Sequence, residues 1–228
     1  MKVIYKISDR GLPKNKPLWF NKIDCLKNAL NCFRSSEFFM LMDNVSDETK
    51  DVILEFYKGE YQESSIGNPA GTFLIQLDKA LQLDDEEIVY FLEDDYLHKE
   101  GSEEVLKDGF DLYFDYVTLY DHPDKYLNPF EGGNPFCSGR SEQTRVFLGK
   151  YCHFKLTNST TGTFAAKVKT LREDEAIIRK WFSTDYGYDF NMFQELLFKG
   201  RRLASSIPGY STHCEVEWLT PLTDWSKI

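Results

Sequence analysis

The sequence predicts an α/β fold: one domain built on a mainly parallel central sheet flanked by helices. Three observations lead there. Strand-length segments alternate with segments of helical period through the first 97 residues, the pattern that βαβ units leave behind. The clearest strand, over residues 88–92, is an uninterrupted apolar run closed by Glu93, Asp94 and Asp95. Hydrophobic residues make up 42% of the chain, with 18 Phe, 13 Tyr and 4 Trp, enough ring surface for a sizeable core and a lined groove.

The elements follow in order. Val3 to Ile7 reads as a strand. Ile23, Leu26, Leu30 and Phe33 recur at helical spacing within residues 18–33. Phe38 to Met42 is a short apolar run closed by Asp43 and Asn44. Ser46 or Asp47 caps a helix through Tyr57, with Val52, Ile53 and Phe56 facing inward. A weak strand over 61–66 and a helix from Pro69 to Leu83, with Phe73, Leu74, Leu77 and Leu81 on one face, lead into the strand at 88.

The second half is less regular. Tyr116 to Tyr120 reads as a strand. Residues 121–145 carry three prolines and three glycines without a period, and so long a loop in a compact domain is expected to be functional or mobile. Strands are expected over Val146 to Leu156 and Gly162 to Val168. A helix over 171–182 opens at Arg172-Glu173-Asp174-Glu175, and another over 189–199 is capped by Asp189 and closed by Gly200. A last strand, Arg202 to Ile207, precedes an irregular tail that holds His213. With no repeat or linker in view, residues 1–228 are expected to form one domain.

The net charge of -10 argues against a general nucleic-acid binder, which needs a basic face to release phosphate counterions. It leaves room for a small phosphorylated ligand, provided a metal or a local basic cluster offsets the charge. No stretch approaches the ~20 apolar residues of a membrane span, and the start of the chain is too polar for a signal peptide. Five cysteines without a C-x-x-C pair read as reduced core residues, which points to the cytoplasm.

Open parallel sheets bind ligands beyond the carboxyl ends of their strands. Three such ends are polar here: Ser8-Asp9-Arg10, Asp43-Asn44 and Glu93-Asp94-Asp95. Adjacent carboxylates repel one another, so the last cluster is either a solvated turn or the seat of something positive. Carboxylate oxygens suit hard divalent cations such as Mg2+ and Mn2+.

An acidic Asp-x-Asp-like motif after two or three βα units resembles that of the GT-A glycosyltransferases, a Rossmann-like fold. The closest pattern is the inverting, metal-dependent group called glycosyltransferase family 2. Glu93 stands where the strict motif has aspartate. The spacing from Asp189 to Gly200, eleven residues, and on to His213, a further thirteen, is also similar to the family pattern, with Tyr188 where the family carries glutamate. The resemblance covers residues 3 to about 213.

The resemblance implies that Asp95 binds the metal, Mn2+ or Mg2+, with His213 on the metal or the donor phosphates. It implies that Glu93 contacts the donor ribose or the metal shell, that Asp94 faces the donor, and that Ser8, Asp9, Arg10 and Asp43 hold its nucleoside and diphosphate, with Lys79 a further candidate. Asp189 would be the general base, with Asp174 and then Asp185 as alternatives. Thr161 and Thr163 would line the sugar site, and Arg140 and Arg145 would lie on a closing loop. Residues 1–97 would form the nucleotide-sugar half and 98–228 the acceptor half. The implied activity is transfer of a sugar from a UDP- or GDP-sugar, UDP taken first, to a hydroxyl of a carbohydrate or glycan acceptor. Two rivals share these features: a nucleotidyltransferase that makes sugar nucleotides, and a non-catalytic carbohydrate-binding or scaffold domain.

Overall fold

Alternation in the first half becomes four parallel strands separated by three helices: β1 (Lys2–Ser8), α1 (Lys22–Cys32), β2 (Glu37–Asp43), α2 (Asp47–Phe56), β3 (Glu60–Ser64), α3 (Pro69–Ala80) and β4 (Ile88–Glu93). The second half contributes β5 (Tyr96–His98), α4 (Ser102–Asp111), β6 (Tyr116–Thr118), β7 (Val146–Leu148), β8 (His153–Leu156), β9 (Phe164–Lys167), α5 (Val168–Trp181), α6 (Asp189–Phe198), β10 (Leu203–Ile207) and β11 (Ser211–His213). The computed structural model describes residues 1–10 and 14–228.

Polar caps start the first three helices. Asn21 accepts from the backbone N–H groups of Ile23 and Asp24, Ser46 from Thr49, and Asn68 from Gly71, with Pro69 in the first helical position. Nine strands form one sheet in the order β3-β2-β1-β4-β9-β6-β10-β8-β7. β9 enters antiparallel between β4 and β6, and β8 lies antiparallel between β10 and β7, while the other strands share one direction. The sheet is therefore mainly parallel, as expected, and runs through both halves of the chain.

Both faces are covered. Val3, Tyr5 and Ile7 of β1 pack with Leu26 and Phe33 under α1, Ile53 of α2 and Leu106 of α4. Ile4 points the other way, to Phe73 and Leu77 of α3, Leu171 of α5 and Phe193 of α6. Because side chains alternate along a strand, Lys6 shares the face of Ile4 but sits near the carboxyl end.

Three differences from the sequence reading have physical causes. The sequence predicts nothing over 98–115, yet α4 forms there, burying Val105, Leu106 and Phe110 behind a left-handed Gly101. Its Gly109 lies so close to β6 that a Cβ would meet Val117 Cγ1 at 2.8 Å. The expected strand 146–156 is a hairpin, β7 and β8, turned by Gly149, whose N–H donates to the Cys152 carbonyl. And α5 starts at Val168 rather than 171, because the N–H groups of Val168 and Lys169 donate to the carbonyls of Glu87 and Asp85. Asp174 thus lies inside the helix, not at its opening.

Segment 121–145 is anchored by buried ammonium groups. Lys125 Nζ donates to Asn158 Oδ1 and Ser159 Oγ, both at 2.7 Å. Lys155 Nζ lies 2.8 Å from Asp121 Oδ1, and Tyr126 donates its hydroxyl to Asp121 Oδ2. Among the described residues no helix is long and apolar enough to cross a membrane.

Asp121 and Lys155 are both about 3% exposed, so removing Asp121 leaves the buried Lys155 ammonium with only Glu142, 3.7 Å away, as a carboxylate partner. Asp121→Ala is expected to destabilise the fold by about 3–5 kcal/mol in chemical denaturation. Adding Lys155→Met should recover part of that loss; a double variant at least as unstable as the single would show that the pair is not coupled.

Candidate functional site

Register brings the three polar strand ends together. β1 pairs with β2 so that Ser8 faces Asp43, and with β4 so that Lys6 faces Glu93. Beyond these ends lies a pocket of about 850 Å³. Its lining includes Asp43, Glu93, Asp94 and Asp95, and also Lys6, Arg10, Lys14, Lys16 and Lys22. A chain of net charge -10 has therefore concentrated five cationic side chains where its carboxylates cluster.

Each carboxylate has its own counterpart. Lys6 Nζ donates to Glu93, holding that carboxyl below its usual range against the opposing effect of burial. Asp94 Oδ2 accepts the backbone N–H of Ser8 at 2.9 Å, which ties the end of β1 to the turn after β4. Burial and the neighbouring Asp95 charge push the Asp94 carboxyl up to about 6. Asp95 Oδ2 accepts from Lys16 Nζ at 2.6 Å and lies 2.9 Å from His213 Nε2. Although burial opposes it, His213, Lys16 and Lys14 hold the Asp95 carboxyl well below the usual range. The other oxygen, Asp95 Oδ1, is buried without a hydrogen-bond partner.

β11 explains how His213 arrives. It pairs antiparallel with β5, placing His213 opposite Tyr96, the residue after Asp95. The Tyr96 and His213 rings stack at 5.0 Å with a 9° interplanar angle. Cys214 donates its N–H to the Asp95 carbonyl, locking the tail against the turn. Glu215 follows, with Oε1 3.2 Å from His213 Nε2. One donor atom from each of Asp95, His213 and Glu215 lies within 4.8 Å of the others. Two carboxylates and an imidazole, with one carboxylate oxygen unpaired, form a donor set that fits a divalent cation. Glu215 was missed by the sequence reading, although His213-Cys214-Glu215 in extended chain puts the first and third side chains on one side.

Asp189 is the first residue of α6, after Tyr188, and its carboxylate accepts the Phe190 N–H at 2.8 Å. It is a helix-opening residue, one place inside the cap position expected for it. Burial, joined by the negative charge of Glu93, raises its carboxyl to about 7. Gly162 lies across from Glu93, a Cβ there standing 3.8 Å from the carboxyl carbon. Thr161 shares a hydrogen bond with the Tyr96 hydroxyl, and Thr163 is buried with its own hydroxyl unpaired. Asp185 and Tyr186 line the same pocket.

Other candidates are placed differently. Asp174 is buried in an ion cluster, accepting from Tyr116 at 2.8 Å and Arg201 Nε at 2.7 Å. Asp9 accepts the Ser46 N–H at 2.8 Å, so it braces the start of α2. Asp43 lines the pocket, yet both its oxygens are engaged, by Ser64, Ile66, Gly67 and Asn44, which shapes the loop before α3. Lys79 pairs with Glu60, and Arg140 with Glu131.

No known protein family and no curated protein matches the sequence. Solved structures do. Residues 1–349 of S. aureus TarS superpose with a TM-score of 0.51 at 15% identity, over 92% of this chain and 60% of that one. A longer S. aureus TarS structure gives 0.52 at 14% identity, over 90% and 34%. GalNAc-T7 with UDP, GalNAc and Mn2+ gives 0.61 at 12% identity, over 96% and 44%. The chain thus spans 60% or less of the length of each. These likenesses show the fold: this chain has the GT-A fold.

A carboxyl raised mainly by burial and secondarily by one charge should respond to that charge only in part. Followed by carbon NMR, Asp189 is expected to titrate near pH 7. Glu93→Gln should move its midpoint towards the ordinary range without reaching it. A midpoint near 4 in the unmodified protein would mean that the carboxylate is solvated.

Proposed function

We propose that this GT-A chain is a glycosyltransferase that moves a sugar from a nucleoside-diphosphate sugar to a hydroxyl of a glycan acceptor, with inversion and with Mn2+ or Mg2+. A UDP-sugar is the first choice of donor, a GDP-sugar the second. The observation that carries this reading is the unpartnered, buried Oδ1 of Asp95, grouped with His213 and Glu215, where Asp95 lines a pocket of nucleotide-sugar size. The likeness to GalNAc-T7, solved with UDP, GalNAc and Mn2+, supports it. The resemblance to family 2 supports inversion.

Residues 1–97 hold the donor on this reading. Ser8, Arg10 and the loop shaped by Asp43 take the nucleoside, with Asp9 bracing that wall from behind. Asp94 fixes the Ser8 backbone, and Glu93, oriented by Lys6, faces the ribose and sugar. A divalent ion held by Asp95, His213 and Glu215 would supply positive charge to the leaving diphosphate. Lysines on the same wall add to that charge.

Residues 98–228 present the acceptor. Asp189 takes the proton from the acceptor hydroxyl as that oxygen bonds to the anomeric carbon from the face opposite the diphosphate. The bond from the anomeric carbon to the phosphate oxygen breaks, and the nucleoside diphosphate leaves with the electron pair. A carboxyl near 7 suits a base that must accept a proton at neutral pH. Asp174 keeps second place, because Arg201 and Tyr116 already occupy its oxygens. A cytoplasmic, single-domain protein completes the proposal, supported by five free cysteines.

Calorimetric titration with UDP and with GDP, each with Mn2+ and with chelator, tests the donor side. One diphosphate should bind, more tightly with the metal, and Asp95→Asn should remove the metal effect. No binding of either in both conditions would defeat the reading. On the acceptor side, Asp189→Asn should leave diphosphate binding intact and lower transfer by about 10²–10⁴-fold. In the unmodified enzyme, transfer should fall as pH drops through about 7, because the base is then protonated.

A further inference from the structure

One ammonium group lies among the three donors described above. Lys14 Nζ is 2.7 Å from Glu215 Oε1, 3.3 Å from His213 Nε2 and 3.7 Å from Asp95 Oδ2. A divalent ion drawing one donor atom from each of the same three residues would have to lie among them, close to where this charge sits. Lys16 is different: its ammonium is 2.6 Å from Asp95 Oδ2 and makes no ion pair with Glu215.

The backbone beside Lys14 is fastened independently of its side chain. Val216 donates its N–H to the Asn15 carbonyl at 2.9 Å, and Asn15 Nδ2 donates to Glu217 Oε1 at 2.8 Å. These bonds hold residues 14–16 against the tail that supplies His213 and Glu215. The flexible four-carbon stem of the lysine can swing while that backbone stays in place. It is about 35% exposed and borders the pocket, so its charge has somewhere to go.

We propose that the Lys14 ammonium and a divalent cation are alternative occupants of one seat formed by Asp95, His213 and Glu215. The metal-free protein neutralises its own donor set with Lys14. Binding of the ion expels the ammonium into the pocket, where the diphosphate of a donor would meet it. Affinity for metal alone is thereby lowered, because two like charges cannot share the seat. This inference rests on the metal part of the proposed function.

The test is binding of Mn2+ alone to the full chain, read from the electron paramagnetic resonance signal of free Mn2+. Lys14→Gln keeps the stem and removes the charge, and it is expected to bind about tenfold or more tightly than the unmodified protein. Lys14→Arg, which keeps the charge, should gain nothing. Adding Asp95→Asn to Lys14→Gln should abolish the gain, and binding seen only after Lys14→Gln would support the proposal most strongly. If Lys14→Gln binds Mn2+ no better than the unmodified protein while Asp95→Asn weakens binding, the metal site stands and the competition is wrong. Absence of binding to every variant would remove the metal site and the competition together.

Discussion

Three adjacent carboxylates at the end of a buried strand set the terms for the rest of this molecule. Asp95 is 8% exposed and Glu93 and Asp94 are only partly exposed, so water alone cannot screen their mutual repulsion. The fold answers from several directions. Lys6 comes from the neighbouring strand, the Ser8 amide from the end of that strand, Lys16 from the segment before α1, and His213 from the tail. Parallel register makes this possible, because it places the ends of β1, β2 and β4 side by side. The carboxylates then adopt different states: Asp95 stays ionised, Asp94 is raised to about 6, and Asp189 across the site is raised to about 7. Burial with few partners raises a carboxyl, and burial beside several cations lowers it.

Much of the first half was legible because local rules agree with one another there. A cap at Ser46, apolar spacing on the helices and unbroken apolar strands all point to the same elements, and the structure adds caps at Asn21 and Asn68. The acidic end of β4 was legible for the same reason, as a strand-end feature, whereas the interval from Asp189 to His213 stood out only through the family resemblance. Lys14 and Lys16 were not, since nothing local separates a lysine that folds back onto a carboxylate from one that faces water. Nor was Glu215, whose partner Asp95 is 120 residues away in sequence. The β5–β11 pair behind it consists of two three-residue strands, too short to show a period.

The second half was harder to read because tertiary contacts override local signals. Proline and glycine in 121–145 suggest a functional or mobile loop, and Lys125 and Lys155 act as buried tethers that anchor it. Lysine is expected at the surface, so composition gave no warning. Asp174 carries the opposite lesson. An aspartate near the expected helix start, second candidate for the base, lies at the centre of an ion cluster with Arg201 and Lys199 that fastens α5 to the segment after α6.

β11 can join its partner β5 only once the chain has been made through residue 213, and this bears on how the protein is made. Asp95 is synthesised 118 residues before His213, whose ring nitrogen meets its Oδ2. A ribosome-bound chain that has already formed β1 to β4 would therefore expose an acidic turn with no imidazole and no docked tail. The first strands can assemble early, but Asp95, His213 and Glu215 cannot meet until the later residues have been made. Any metal capture at these donors would then have to wait until β11 has docked on β5.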